Sequence, residues 1–243
     1  GMLSDTLIVI PSRLSSTRLP NKPLAEIHGY PMIYWVAQRI KNANICDYVV
    51  ATDSSQIEAV CQKYDINVIL TSVHCKNGSE RVAEVSKKLN YDYYCNVQGD
   101  EPLIDTNGVR DFIQQAKKYE NTFVQAVTLV KKSENDLTEV KVAIDGTNRI
   151  RYLSRLAIPF DRDSVVAQKQ KCLGLYLYDN SFISSYSILA EGYLEKIECI
   201  EQLRCIENNL SIRAVMVNFD SVSVDTVDDL KYVKSFQLSK FQV

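Results

Sequence analysis

Leu7-Ile-Val-Ile10-Pro11-Ser12-Arg13-Leu-Ser-Ser-Thr-Arg18-Leu-Pro-Asn-Lys22-Pro-Leu24 sets an apolar, mostly β-branched run directly against a loop with three fixed cations. Four apolar residues bounded by Pro11 read as a strand covered on both faces, as in a parallel sheet, rather than as one arm of a half-exposed hairpin. The loop then leaves the carboxyl end of that strand, the edge where open α/β sheets bind ligands. Arg13, Arg18 and Lys22 on that edge point to an anionic ligand rich in phosphate.

The same alternation continues outward. Met32, Ile33, Trp35, Val36 and Ile40 recur at helical spacing, with Pro31 suited to a first helical turn. Residues 48–52 read as a second strand, Asp53-Ser-Ser55 as the cap of a helix through Val60 and Tyr64, and residues 68–70 as a third strand. A polar loop over 71–77 then leads into an amphipathic helix opened by Gly78-Ser-Glu-Arg81. Strands alternating with helices of this length are the pattern of βαβ units and a parallel sheet.

A fourth strand, 93–97, runs into Gln98-Gly-Asp-Glu-Pro102 and so presents Asp100 at the edge that carries the basic loop. Gly99 is expected to let a ligand approach the backbone. Mg²⁺ takes one or two carboxylates and fills its octahedron with water and phosphate oxygens, which suits Asp100. Asp105 reads instead as a helix cap before Val109 and Phe112.

Beyond residue 120 the texture turns antiparallel: a strand at 123–130, two more around a tight turn at Asp145-Gly146, and a period-two run over 173–178. Residues 163–170 carry no strong periodicity. Helices are expected at about 180–189 and 194–208, the second with Ile197, Ile200, Leu203 and Ile206 on one stripe. After a strand at 212–217, Thr226 and Asp229 form a Thr-x-x-Asp cap for a terminal helix. That leaves Asp225 free to share one magnesium ion with Asp100, close to phosphates gripped by Arg13 and Lys22.

Composition narrows the class. Hydrophobic residues make up 46% and charged residues 24% of the 243, which suits a globular chain. A net charge of −2 supplies no field for a polyanion, so nucleic acid is not an expected partner. No apolar run reaches the roughly 18–20 residues of a bilayer span, no membrane insertion is expected, and a cytoplasmic location is the default expectation. Gly1 ahead of Met2 reads as a tag scar. Seven cysteines without a Cys-x-x-Cys pair read as reduced, mostly buried thiols; Cys199 and Cys205 share the 194–208 helix but sit too far round it to share a metal.

Eight segments together carry a resemblance. They are 10–24, Val-Ala-Thr-Asp53, Asn77-Gly-Ser-Glu-Arg-Val-Ala-Glu84, Asn96-Val-Gln-Gly-Asp-Glu-Pro102, Val140-Lys-Val142, Ile158-Pro-Phe-Asp-Arg-Asp163, Leu194-Glu-Lys-Ile-Glu-Cys-Ile-Glu-Gln-Leu-Arg204 and Val224-Asp-Thr226. Across nearly the whole chain, the sequence resembles the 3-deoxy-manno-octulosonate (Kdo) cytidylyltransferases.

The resemblance implies an α/β, Rossmann-like nucleotide-diphospho-sugar transferase fold, a mostly parallel sheet with helices on both faces. The chain would be a single domain over 2–243, with about 123–190 forming an inserted antiparallel, sugar-binding and dimerisation part. It also implies a homodimer, a Mg²⁺ cofactor, and the joining of CTP to Kdo for lipopolysaccharide biosynthesis. Arg13, Lys22 and Asp100 would be catalytic, and Asp100 and Asp225 the metal ligands. Pro11, Ser12, Arg13, Lys22, Thr71, Ser79 and Arg81 would bind the nucleotide. Gln98, Arg155, Tyr176, Glu201 and Gln202 would line the sugar-acid site, an arginine fork suiting a carboxylate.

One departure stands out: Cys172 occupies the position before the Gly-Ile-Tyr segment where the family has His, and the preceding loop is shorter. This leaves 8-amino-Kdo or another ulosonic or nonulosonic acid as alternative sugars, and a CTP-binding module without catalysis as the alternative of a different class.

Overall fold

β1 (Thr6–Ser12) is hydrogen-bonded on each side to a parallel partner, β4 (Asp47–Thr52) and β6 (Tyr93–Val97), in a computed structural model describing residues 2–16, 18–165 and 168–242. Gly1 and the middle of the 163–172 loop lie outside the described residues. Alternate β1 side chains enter opposite halves of the core: Ile8 and Ile10 pack with Val50 and Val97, Leu7 and Val9 with Val49 and Tyr94. Each of these four β1 residues is buried, contributing roughly 1.5–3 kcal/mol apiece. The continuous apolar run is therefore the middle of a covered sheet.

Chain order explains how the sheet is covered. After β1 come a two-residue hairpin of β2 (Glu26–Ile27) and β3 (Tyr30–Pro31), α1 (Met32–Ala43), β4, α2 (Ser55–Lys63), β5 (Val68–Leu70), α3 (Gly78–Lys88), β6 and α4 (Thr106–Ala116). Ile33 and Val36 of α1, Ile57 of α2, and Phe112 and Ile113 of α4 cover one face. Val82 and Val85 of α3 cover the other, beside Phe182 and Tyr186 of α5 (Asn180–Ser187). Helix starts follow the side chains available: Ser54, Asn77 and Asp105 each accept a backbone N–H three residues on.

The second half of the chain is drawn into the same sheet. β7 (Phe123–Leu129), β8 (Lys141–Ile144), β9 (Ile150–Ser154), β10 (Gln170–Asp179) and β11 (Ile212–Met216) complete nine strands, in the order β11-β7-β10-β6-β1-β4-β5 with β8 and β9 off that path. β10 runs antiparallel to β6 and β7, and β8 pairs antiparallel with β9 and β10. The antiparallel character expected over about 123–190 is thus present as part of one continuous sheet. No helix among the described residues is long and apolar enough to cross a membrane.

The single helix expected over 194–208 is two: α6 (Tyr193–Glu198) and α7 (Leu203–Glu207), parted by Cys199 in the left-handed region at φ 55. The break turns the second segment so that Ile200 and Leu203 reach the core while Ile197 stays 62% exposed. Cys199 and Cys205 therefore do not share a helix. All seven cysteines are free. At the end of the chain α8 (Val227–Lys234) starts on a capping box: Thr226 Oγ1 accepts Asp229 N–H, and Asp229 accepts the Thr226 N–H.

Candidate active site

The basic loop, the end of β6 and the 217–226 segment meet at the carboxyl edge of the parallel strands. Two bonds set their approach. Val224 N–H donates to the Asp100 carbonyl at 2.8 Å, so the two acidic loops are tied through their backbones. Gly99 lies against β1, where an added Cβ would come within 3.0 Å of the Pro11 carbonyl oxygen. The chain itself makes one close approach at Gly99, which also lines the chamber on this edge, where a ligand is expected to approach the backbone.

Asp100 and Asp225 consequently converge. Lys22 Nζ sits between them, 3.3 Å from Asp100 Oδ2 and 3.2 Å from Asp225 Oδ1. Ser223 Oγ donates to Asp225 Oδ2 at 3.3 Å, and Asp229 takes over the Asp225 N–H, so helix capping does not consume the Asp225 carboxylate. Burial raises the Asp100 carboxyl, the Lys22 ammonium pulls it back, and the Asp225 charge raises it again, leaving it at about 6. Next to it Glu101, buried among Asp100, Asp220 and Asp225, is pushed well above the usual carboxylate range, with Lys171 opposing. Two hard oxygen donors straddling a cation, one of them destabilised by burial and by its neighbour, fit a divalent magnesium ion that keeps waters and phosphate oxygens as its other ligands.

Two chambers open on either side of this pair. The first, about 830 Å³, is lined by Pro11, Ser12, Arg13, Arg18, Lys22 and Arg81 together with Cys75 to Gly78 at the start of α3. Arg13 and Arg18 are exposed and make no ion pair among the described residues, which leaves their charge for a ligand. Arg81 is buried, with Nη1 donating to Thr71 Oγ1 at 2.6 Å and to the Ser72 carbonyl at 3.1 Å. Thr71 and Ser79, expected at the nucleotide, stand behind this wall. Thr71 orients Arg81, while Ser79 gives its N–H to Glu201 at 3.1 Å and its hydroxyl bonds Tyr178 Oη at 3.0 Å.

The second chamber, about 570 Å³, includes Gln98, Arg155, Tyr176, Glu201 and Gln202 in its lining, so the structure brings the five expected sugar-acid residues together. Their bonding differs from the expectation of free recognition groups. The Arg155 guanidinium donates to the carbonyls of Glu198, Cys199, Leu137 and Thr138, so its fork is already occupied. Gln202 Nε2 donates to Gln125 Oε1 at 2.7 Å in the buried interior. Tyr176 is buried against Phe123, at a ring separation of 5.0 Å. Burial raises the Glu201 carboxyl, and the bonds from Ser79 oppose that shift. Gln98, Asp100, Glu201 and Asp225 border both chambers.

Lys171 and Glu101 are two further polar residues at the second chamber that no sequence motif assigns a role. Lys171 pairs with Glu139 and, at 3.1 Å, with Asp220, joining three segments around the second chamber. Its neighbour Cys172, partly buried, lines that chamber, and burial raises its thiol far above the ordinary range. The signal for Glu101 was its place in Gly99-Asp-Glu-Pro102; Lys171 carried none, because its partners lie 32 and 49 residues away.

Residues 7–212 match the family model described as Cytidylyltransferase. A 3-deoxy-manno-octulosonate cytidylyltransferase of Polynucleobacter necessarius subsp. necessarius (strain STIR1) is 38% identical over 240 residues, 95% of this chain and 94% of that one. An 8-amino-3,8-dideoxy-manno-octulosonate cytidylyltransferase of Shewanella baltica (strain OS155 / ATCC BAA-1091) is 35% identical over 235 residues, 93% and 96% of the two chains. The solved structure of a CMP:2-keto-3-deoxy-manno-octonic acid synthetase complexed with CTP is similar at a TM-score of 0.88 and 32% identity, covering 96% of this chain and 98% of that one.

Proposed function

The chain belongs to the cytidylyltransferase family, and from that premise we propose that it joins CTP to Kdo, giving CMP-Kdo and pyrophosphate for lipopolysaccharide biosynthesis. The observation that carries this reading is the convergence of Asp100, Asp225 and Lys22 between a chamber with uncompensated arginines and a second, hydrogen-bond-lined chamber. CTP is assigned to the first chamber, whose exposed arginines suit a triphosphate, and the sugar acid to the second; that the chain takes CTP at all is supported by the similar structure solved with CTP.

The residues divide the work. Arg13, Arg18 and Lys22 offset the charge of the triphosphate and of the departing pyrophosphate, which is the main help phosphoryl-type transfer needs from a protein. Asp100 and Asp225 would hold Mg²⁺, which when bound offsets phosphate charge and favours ionisation of a nearby sugar hydroxyl. Glu201 and Gln98, on the border of both chambers, orient the sugar acid so that its anomeric hydroxyl faces the α-phosphorus. The attack is in line, forms the new O–P bond and breaks the bond to the β-phosphate, and no nucleophilic side chain intervenes.

The reading extends to a cytoplasmic homodimer. The homodimer is supported by exposed Leu156, Phe160 and Val165, Phe160 being 86% exposed, which lie within the part of about 123–190 where the resemblance puts most of the subunit contacts. Cys172 in the second chamber, together with the relative named for the 8-amino sugar, favours that sugar as a second substrate reading. Pyrophosphate release from CTP on addition of Kdo, 8-amino-3,8-dideoxy-Kdo or N-acetylneuraminate tests the assignment. Kdo is expected to give the highest kcat/KM, and turnover with N-acetylneuraminate alone would refute it.

A further inference from the structure

Arg204, on α7 three residues past Glu201, is wholly buried. Its Nε and Nη2 donate to the two carboxylate oxygens of Glu195 at 2.8 and 2.7 Å, and its Nη1 pairs with Glu80 Oε2 at 2.8 Å. The guanidinium also lies over the Tyr186 ring, 4.8 Å from its centre. Each partner passes the constraint on. The other oxygen of Glu80 accepts the Lys76 N–H at 3.0 Å, and Asn77 Nδ2 donates to Tyr186 Oη at 3.0 Å. Lys76 and Asn77 line the first chamber, while the turn that leads into α7 supplies Glu201 to both.

A buried ion triad is a weak device for stability, because apolar side chains of the same volume do comparably well. What this one has, and apolar packing lacks, is directed bonds toward two different walls. Through these bonds a shift of the 199–202 turn would reach Glu80 by way of Arg204, and from there the backbone of Lys76. A second link runs in parallel, from the Glu201 carboxylate to the Ser79 N–H.

We propose that Arg204 is a positioning residue that couples the two chambers, so that filling the sugar-acid chamber tightens the grip of the other on the nucleotide. The proposal rests on the assignment of CTP and Kdo to these chambers. Coupling between sites in one protein commonly spans 5- to 150-fold in affinity, and it shows as a ratio that a merely structural residue leaves alone.

The probe is α,β-methylene-CTP, whose α–β bridge resists transfer, titrated by calorimetry with Mg²⁺ in the presence and absence of saturating Kdo. Wild type is expected to bind the analogue at least fivefold more tightly with Kdo present. Arg204→Lys removes the bidentate fork, and Glu80→Gln weakens the ion pair while keeping an acceptor for the Lys76 N–H. Both should bring the ratio below twofold, with affinity for the analogue alone changed less than threefold. A wild-type ratio near one overturns the proposal. So does a ratio preserved in Glu80→Gln, or in a folded Arg204→Lys, while both single affinities and the melting temperature fall together. Failure of wild type to bind the analogue at all would instead defeat the assignment of CTP to the first chamber.

Discussion

The two chambers share four residues and solve opposite electrostatic problems. In the first, Arg13 and Arg18 stand exposed without ion pairs among the described residues, and Lys22 is shared between two carboxylates. In the second, Arg155 is spent on four carbonyls and Lys171 on Glu139 and Asp220. Uncompensated cations suit a ligand that brings its own dense negative charge, and their attraction does not depend on fine geometry. Compensated ones contribute little net field and act by fixing the shape of a wall, which suits a polyhydroxylated acid recognised by directed hydrogen bonds. Charge is stored on one side of the Asp100–Asp225 carboxylate pair and shape on the other.

The difference can be broken most severely at the border. Asp100→Asn removes one of two anionic donors shared by both sides, and kcat is expected to fall on the order of 10³-fold or more, measured by pyrophosphate release at saturating magnesium. Full activity in that variant would end the metal assignment. On the charged side, Arg13→Ala would delete the proposed charge-assisted contact with the triphosphate, worth about 2 kcal/mol, and a loss of roughly 30-fold in kcat/KM for CTP that shrinks as salt is raised is expected. On the shaped side, Lys171→Met leaves Glu139 and Asp220 facing each other without their cation. This should lower unfolding free energy by about 1–3 kcal/mol in a denaturant titration and raise KM for the sugar acid with little effect on KM for CTP. The smallest change is Cys172→His, which adds a polar group to the second chamber; a shift of about threefold in KM for Kdo, with KM for CTP unmoved, would match one ordinary hydrogen bond.

The same contrast governs what could be read from the chain alone. The basic loop and Asp100 of the first chamber were legible because their signals are local: an apolar run, the loop that follows, and a Gly-Asp at the end of a strand all announce an edge of a parallel sheet, whereas Thr71 and Ser79 stand behind its wall on bonds to Arg81, Glu201 and Tyr178. The capping role of Thr226, which frees Asp225, is equally local. The second chamber depends on partners far apart in sequence. Arg155 reads as a free fork until the carbonyls of residues 137, 138, 198 and 199 are seen around it. Periodicity joined residues 194–208 into one helix because Ile197 continues the apolar stripe; the left-handed turn at Cys199 is decided by the core that Ile200 and Leu203 must reach and by the Arg204 ion triad, neither of which has a sequence period.

On the proposed reading, the carboxylate pair and the basic loop act together on the α-phosphate of CTP when a sugar acid fills the second chamber. Incubating the protein with magnesium, Kdo and CTP labelled on the α-phosphorus tests this directly. The label should move into a CMP–sugar conjugate with one pyrophosphate released per conjugate, and Asp225→Asn should stop both. Label retained in CTP, or released as free CMP at the same rate with and without Kdo, would contradict it.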